Sequence, residues 1–554
     1  MKRTQTSFTA LAFALATIGI TIPAFAQDSD GADDQGESSG SGGRAVSVQP
    51  YIEVSQIAIA ELSPGDEVTT YTQLAAGVEA SITGRNNGGS VSLRYDKNIG
   101  YGDNALNSDT VTGIARAYAS IVPQTLTVDA GALASRTRVD GTGGATVNPL
   151  LGDTAESQIY SAYAGPTLST RAGDVAVNAN YRIGYTRVET PDVLATAVGA
   201  EPVDIFDDSV SQSAAISLAT SPGEPLPVGV GIHAGWNQED VSNLDQRVRD
   251  LYVRGDVQVP VTDSLALVAG VGYEDVEVSS RDALRDGAGD PVIGADGRYV
   301  TDTSQPRQLA YDVSGLIWDA GVIWRPSSRT LLDARVGRRY DSTSYYGSFA
   351  YAPNKRSSLN VSVYDTISGF GNQLNTALAN LPTEFTATRN ALSGDLNGCV
   401  AGEEGAACLG GVLGSVRSSV FRSRGVTASY STKLGRLSTG LGVGYDRRKF
   451  LAAPGTVLGA ANGVTDESYY VAAFVSGNVD ANSTFTTNAY YNYFSSGFDL
   501  AGEVSALGAS AAYNRNLTSR LSARAAIAID SIDSDVSDAD FTAASALVGL
   551  RYGF

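Results

Sequence analysis

From residue 46 to the carboxyl terminus, the chain consists of runs of roughly ten residues in which apolar side chains occupy alternate positions. The last run, 541–554, shows the pattern clearly. One set of alternate positions holds Ala544, Ala546, Val548, Leu550, Tyr552 and Phe554, and the other includes Ser545, Gly549, Arg551 and Gly553. Successive side chains of an extended strand point to opposite faces. Each run therefore predicts a strand with one apolar face and one polar face.

The connections between these runs are alternately short turns and longer polar loops. This alternation is typical of strands that cross a membrane, with short turns on the periplasmic side and longer loops outside. We count about 22 runs, and an even number places both chain ends in the periplasm. The sequence therefore predicts an all-β protein, a transmembrane antiparallel up-and-down β-barrel over residues 46–554 with no plug domain.

The amino terminus has the pattern of a secretory signal. Lys2 and Arg3 precede an apolar stretch over 8–22, and Ala24-Phe25-Ala26 is a small-residue cleavage site. A transmembrane helix is the alternative, but the stretch is shorter than the roughly 20 residues that a span needs. We expect a signal peptide over 1–26 and, because residues 27–45 are acidic and rich in Gly and Ser, a disordered periplasmic tail there.

The composition fits the barrel and excludes other classes. The chain has 61 Gly, 27 Tyr and 18% charged residues, without the aliphatic blocks of a helical core. Its net charge of −20 argues against nucleic acid as a partner, because phosphates would be repelled.

The alternating runs and the terminal Phe554 resemble those of bacterial outer-membrane β-barrels. That resemblance implies the outer membrane of a Gram-negative bacterium as the location, and lipid and lipopolysaccharide as surroundings. It also implies that Leu550, Tyr552 and Phe554 form the assembly signal read by the barrel-assembly machinery.

The polar faces of the strands predict the lining of the lumen. Placing the apolar faces outward puts ten charged residues inside: Arg94, Asp96, Arg182, Arg254, Asp256, Asp333, Arg335, Arg524, Asp530 and Arg551. Both signs are present, so these groups favour either a water-filled selectivity lining or an ion-pair lattice that stiffens the wall.

The longest loop, 369–417, is the candidate for any constriction of the lumen. TonB-dependent transporters have a similar strand number but need a large folded amino-terminal domain, and here the strands begin soon after the signal. The loop holds Leu374, Leu378, Cys399 and Cys408. In an oxidising compartment, the two cysteines predict a disulfide, and metal binding by two thiolates is the weaker alternative.

Two further features are a candidate catalytic residue and a candidate metal site. The single histidine, His233, is expected on the luminal face with no acid or nucleophile placed beside it by the sequence, so no catalysis is predicted. The cluster Asp533, Asp535, Asp538 and Asp540 is expected to be solvated, with Ca²⁺ or Mg²⁺ bridging to lipopolysaccharide as the alternative.

The sequence favours a channel for passive diffusion of hydrophilic solutes, with no cofactor and no enzymatic activity. An alternative follows from the opening segment VSVQPYIEVSQIAIAEL, which is similar to barrels associated with exopolysaccharide secretion. Such a protein would act with polysaccharide-export components. A third alternative is a structural or adhesive surface barrel.

Overall fold

A computed structural model of the protein describes residues 45–554 apart from 102–106, 140–144, 147–155, 190–205, 224, 295–296, 403–404, 499–501 and 536–539. The predicted signal peptide and residues 27–44 of the predicted tail lie outside these residues.

Strands dominate the described part of the chain. In chain order they are β1 Ala45–Ser63, β2 Val68–Thr83, β3 Asn87–Gly100, β4 Ser108–Val122, β5 Leu126–Val139, β6 Ala145–Thr146, β7 Glu156–Ala172, β8 Val175–Glu189, β9 Asp208–Thr220, β10 Gly229–Val241, β11 Gln246–Thr262, β12 Leu265–Ser280, β13 Gln308–Ser327, β14 Thr330–Arg339, β15 Ser342–Asn354, β16 Ser357–Ser368, β17 Phe385–Arg389, β18 Leu396–Gly402, β19 Gly405–Cys408, β20 Phe421–Leu434, β21 Leu437–Phe450, β22 Thr465–Asp480, β23 Ser483–Ser495, β24 Glu503–Asn516, β25 Leu521–Ser534 and β26 Phe541–Gly553. The helices are α1 Phe370–Ala379 and α2 Gly410–Leu413, with 3₁₀ turns at Asn243–Asp245 and Val457–Ala461.

All strands except β6 and β17–β19 form one antiparallel ring of 22, which confirms the predicted number. Each ring strand pairs with its neighbours in sequence, and β1 closes the ring on β26 with Tyr51 opposite Gly553. Short turns join the strands at the end where β1 begins, which we call the turn end. The other end, where β16 leads into residues 369–420, is the loop end. No helix in the described ranges is long and apolar enough to span a membrane.

The outer surface of the ring is apolar. Leu316, Trp318, Val271, Ile527 and Val548 are exposed on it, while the alternate residues of the same strands are buried or face polar partners. A closed ring leaves no strand edge in the lipid, and an apolar outer face suits hydrocarbon. The ring is therefore that of a transmembrane β-barrel.

Inside the ring, tyrosines lie across glycines of the adjacent strand. A carbon added at Gly77 would overlap the Tyr51 ring, and one at Gly444 would overlap Tyr470. The same contact recurs at Gly131 with Tyr163, Gly235 with Tyr252, Gly425 with Tyr364, and Gly508 with Tyr490. These glycines are required because a large ring needs room against the neighbouring strand.

A carboxylate clamps the base of the long loop 281–307 at the loop end. Arg281 Nε donates to Asp245 Oδ2 at 2.7 Å, and Arg307 Nε donates to the same Oδ2 at 3.2 Å. One carboxylate between β10 and β11 therefore holds both ends of the neighbouring loop.

Candidate functional site: the lumen and the segment inside it

The residues between β16 and β20, 369–420, lie inside the ring, and we call them the luminal segment. They contain α1, α2 and the small sheet β17–β19. Ser368 and Phe421, which flank the segment, are cross-strand partners. The segment is therefore a single excursion from the wall that starts and ends at one point.

Helix α1 forms because its apolar residues recur four positions apart. Phe370, Leu374 and Leu378 share one face and are fully buried. Glu239 on β10 lies at the helix amino terminus, where its carboxylate accepts from the backbone N–H of Gly369 at 2.7 Å. An acid at this position satisfies free N–H groups and suits the helix dipole.

The buried apolar face of α1 packs on one side of the wall. Phe370 and its partners contact side chains of β4, β5, β7 and β8 in one cluster. The cluster joins wall residues Ile114, Leu133, Ile159, Tyr163 and Val188 to segment residues Phe370, Leu374, Leu378, Leu381, Leu396, Val400, Leu409, Leu413 and Val416. The helix side of the segment is thus attached by hydrophobic burial.

A single amide connects α1 to three strands. Asn375 Oδ1 accepts from Ser161 Oγ at 3.0 Å, and Asn375 Nδ2 donates to Thr186 Oγ1 at 3.3 Å and to Ser211 Oγ at 3.2 Å. These wall hydroxyls lie on the luminal faces of β7, β8 and β9, so the helix is inside the ring.

The tip of the luminal segment, residues 389–395, is attached by arginine contacts and by a smaller apolar cluster, in which Ala391 and Leu392 pack with wall residues of β1, β2 and β24–β26. Arg389 Nη2 donates to Ser92 Oγ at 2.8 Å, and Arg136 Nη2 pairs with Asp395 Oδ2 at 2.8 Å. Farther along the same arc of the wall, Arg524 Nη2 donates to the Ala391 carbonyl at 2.7 Å. These contacts come from β3, β5 and β25, so the tip lies against the arc of wall from β25 through β1 to β5.

The wall partners of the tip lie at different heights. Arg524 lies close to the start of β25 at the turn end, whereas Arg136 lies close to the loop end of β5. The segment therefore extends from the loop end into the interior of the ring. Loop 369–417, which the sequence made the candidate for a constriction, occupies the interior of the ring. The absence of a folded amino-terminal plug stays a prediction.

The predicted disulfide is present in the segment. Cys399 on β18 is bonded to Cys408 on β19, and the two are cross-strand partners. A carbon added at Gly442 on β21 would lie 2.6 Å from Cys408 Sγ, so the bridge packs against the wall.

A first ion-pair network lies beside the tip. Arg94 Nη1 pairs with Glu53 Oε2 at 3.1 Å, and Arg94 Nε donates to Asp96 Oδ1 at 2.8 Å. Glu53 also accepts from Arg524 Nη1 at 3.3 Å. Arg551 lies over the Tyr51 ring at 3.5 Å. Four of the predicted lumen residues are therefore brought together around Glu53, which the sequence analysis did not single out.

A second network lies on β10–β14. Arg254 Nη2 donates to Asp319 Oδ1 at 2.7 Å, and Arg335 Nε donates to Asp333 Oδ1 at 2.9 Å. Asp256 Oδ1 lies 2.6 Å from His233 Nε2, so the histidine does have an acidic partner. Asp319 connects the two arginines, since it also lies 3.6 Å from Arg335 Nη1.

The remaining lumen candidates lie singly on the inner face. Arg182 stacks over the Tyr163 ring at 5.0 Å, and Asp530 Oδ1 accepts from Tyr490 at 3.1 Å. All ten predicted residues thus lie inside, while their role in selectivity stays a prediction.

Of the aspartate cluster, Asp538 lies outside the described residues. Asp540 Oδ1 accepts from the Ser534 backbone N–H at 2.7 Å, which is the contact of a turn. At the carboxyl terminus, Tyr552 and Phe554 are in edge contact at 5.3 Å, and Leu550 is exposed on the outer face. Their reading as an assembly signal stays a prediction.

Part of the inner face remains open to solvent. Asn178, Ser348, Asn360 and Ser362 have exposed side chains on the luminal faces of β8, β15 and β16. The luminal segment presents exposed polar side chains such as Thr376. The lumen therefore keeps a polar recess beside the segment, towards the turn end.

No protein-family profile matches the chain, and no curated protein matches it. Among solved structures, the FrpB iron transporter from Neisseria meningitidis (F5-1 variant, apoprotein form) has 11% identity and a TM-score of 0.43 over 91% of this chain and 81% of its own. The ferric-catecholate import receptor Fiu from E. coli K12 has 9% identity and a TM-score of 0.44 over 91% and 81%. The siderophore receptor PiuA from Acinetobacter baumannii has 9% identity and a TM-score of 0.41 over 91% and 82%. Likeness at this level says nothing of what the present chain carries, and nothing in these comparisons links it with exopolysaccharide export.

Proposed function

We propose that the protein is an outer-membrane transporter for hydrophilic solutes, closed at rest by the luminal segment and opened when the tip of that segment moves. The observation that supports this function is the uneven attachment of the segment. Its helix side buries nine or more apolar side chains of the segment in one cluster, whereas its tip buries only Ala391 and Leu392 and is otherwise held by Arg136, Arg389 and Arg524 through hydrogen bonds.

The tip contacts can exchange with water at little cost, because polar groups that leave each other are solvated again. The polar recess beside the segment supplies that water and already lines part of a passage. In this proposal, solutes diffuse passively through the barrel, as the sequence favoured, once the tip of the luminal segment is displaced.

The wall makes this proposal testable by excision. Since Ser368 and Phe421 are paired, a short Gly-Ser turn between them should replace the luminal segment without altering the ring. Loop 281–307 provides a matched control, because its flanking residues Ser280 and Gln308 are also paired.

Single-channel conductance in planar bilayers separates the outcomes. We expect the intact protein to be closed with brief openings, the segment excision to give large steady currents, and the 281–307 excision to resemble the intact protein. Large steady currents from the intact protein would contradict the proposed closure. A silent barrel after segment excision, with a folded ring, would exclude a transport path through the lumen.

A further inference from the structure

The ring has a local defect in its wall between β15 and β16. Their pairing begins at Gly347 with Val363 and continues only towards the turn end. Nearer the loop end, there is no cross-strand pairing between Ser342–Tyr346 of β15 and Tyr364–Ser368 of β16, and both stretches belong to the described residues. A backbone ladder of several hydrogen bonds is therefore missing on the loop-end half of this seam.

The defect is enlarged by the short β14–β15 hairpin, which turns at Tyr340–Asp341. On its other side, β13 pairs with β14 only from Trp318 onward, so Gln308–Ile317 have an edge without a β14 partner. Between the hairpin turn and the loop end, β13 and β16 thus border a gap that β14 and β15 do not fill. In an undistorted sheet β13 and β16 would be three strand spacings apart, which is about 14 Å.

Side chains take the place of the missing ladder. Arg424 Nη2 donates to the Thr343 carbonyl at 2.9 Å and to Ser342 Oγ at 2.9 Å, and Arg422 Nη1 donates to Ser342 Oγ at 2.6 Å. Both arginines also pair with the one carboxylate of Asp365, at 2.7 and 3.2 Å. Two arginines from β20 thus hold the loop-end part of β15 to β16, where the two strands have no backbone pairing with each other.

Apolar surfaces lie on both sides of the seam. Outside, Leu316 is 66% exposed and Tyr345 is 58% exposed. Inside, Val276, Tyr340, Ile367 and Val420 belong to a buried apolar cluster that also receives Ala310 and Tyr311. A weakly closed gap therefore separates the lipid-facing surface from an apolar part of the interior.

Two hydroxyl groups beside this gap have no visible partner. Tyr311 Oη and Ser368 Oγ are buried, and among the described residues neither has a hydrogen-bond partner. Buried hydroxyls are normally satisfied. A bound polar group, supplied with an apolar chain, would satisfy both and cover the cluster.

We propose that the seam between β15 and β16 is a lateral opening that takes up a lipid-like amphiphile from the outer leaflet. The apolar chain contacts the cluster around Tyr340 and Ile367, and the head group contacts the hydroxyls of Tyr311 and Ser368. The loop end of a bacterial barrel faces outward, which places the seam at the outer leaflet. This site is independent of the proposed movement of the luminal segment tip.

The first test is amide hydrogen exchange of the whole protein in nanodiscs. In Ser342–Tyr346 and Tyr364–Ser368, the amides that point across the seam should exchange at least about tenfold faster than the corresponding amides of Glu467–Val471 and Tyr491–Ser495, which occupy similar heights on the fully paired β22–β23. The alternate amides of both stretches face their paired neighbours β14 and β20 and serve as an internal reference. Equal protection of the two regions would overturn the proposal.

The second test is photo-crosslinking to a fluorescent lysophospholipid added to the nanodiscs. A photoreactive residue at luminal Tyr346 should form an adduct, whereas one at luminal Asn492 on the paired wall should not. The variant Arg422→Ala/Arg424→Ala should increase the adduct at 346 several-fold, and Arg447→Ala, which removes an arginine from a fully paired strand, should not. Equal adducts at both positions, or none at 346, would overturn the proposal, and the heat-modified gel mobility of each variant verifies the fold.

Discussion

Breaking the buried ion pair between Arg136 and Asp395 should release the tip of the luminal segment. The two groups are 2.8 Å apart, with side chains 6% and 2% exposed. Arg136→Met would leave the Asp395 carboxylate buried without its cation. Removal of one partner from a buried pair typically costs about 3–5 kcal/mol.

We take the lower value because the polar recess lets water reach the tip once it moves. About 3 kcal/mol corresponds to roughly a hundredfold change in the equilibrium between closed and open lumen, since 1.4 kcal/mol is tenfold. The open probability of Arg136→Met in planar bilayers should rise by that factor. The double variant Arg136→Met/Asp395→Leu should close again, because an apolar pair of similar volume often replaces a buried ion pair without loss.

A matched control is Lys97→Met, which removes an ion pair with Asp109 on the outer surface. Both side chains there are substantially exposed, and such pairs contribute about 0–1 kcal/mol. Its open probability should equal that of the unaltered protein. An unchanged Arg136→Met channel, or a double variant as open as the single one, would refute the reasoning.

Three other predictions concern the wall, the disulfide and the outer loop. Gly444→Ala should lower the thermal midpoint of the folded barrel, because overpacking costs about 1–3 kcal/mol, whereas Gly315→Ala should not, because nothing lies within 4 Å of the added carbon. Cys399→Ser/Cys408→Ser should make the luminal segment more sensitive to added protease, as a loop this short loses about 2–3 kcal/mol of constraint; unchanged cleavage would exclude that role. Burial would raise the pKa of Asp245, but its arginine hydrogen bonds outweigh burial and lower that pKa. The clamp on loop 281–307 is therefore complete above the ordinary carboxyl pKa and is lost as the pH falls through the lowered value. Cleavage of this loop by added protease should rise only in strong acid. In Asp245→Asn, the same cleavage should rise already at neutral pH.

The strands of the ring were predictable because each depends on local alternation. The run expected at 541–554 is found as β26, Phe541–Gly553, and the barrel expected from residue 46 begins with β1 at Ala45. Because side chains alternate between the two faces of a strand, residues such as Arg94 and Arg254 could be assigned to the luminal face before their partners were known. Glu53 follows the same parity on β1, and a systematic use of alternation would have identified it.

The luminal segment was less predictable because its contacts are distant in sequence. Arg389 binds groups on β3 and β4, almost 300 residues away along the chain. No local pattern around Arg389 or Asp395 indicates those partners. The missing ladder beside β15 is hidden for the same reason, since alternation describes faces and says nothing of the length over which two strands pair.

The size of the ring explains why a segment of the chain is needed inside it. Side chains of the wall can fill a small barrel, but a ring of 22 strands encloses a channel unless something occupies it. The two sides of the occupying segment are not equally held. Burial of side chains such as Phe370 and Leu374 stabilises the helix side by about 1.5–3 kcal/mol each, over a large cluster. An arginine hydrogen bond at the tip contributes about 1.5–3 kcal/mol, but such bonds are few and the tip buries only Ala391 and Leu392 with them. The tip should therefore leave the wall before the helix does, and the lumen should open first beside β3–β5 and β25, where the arginines now hold the tip.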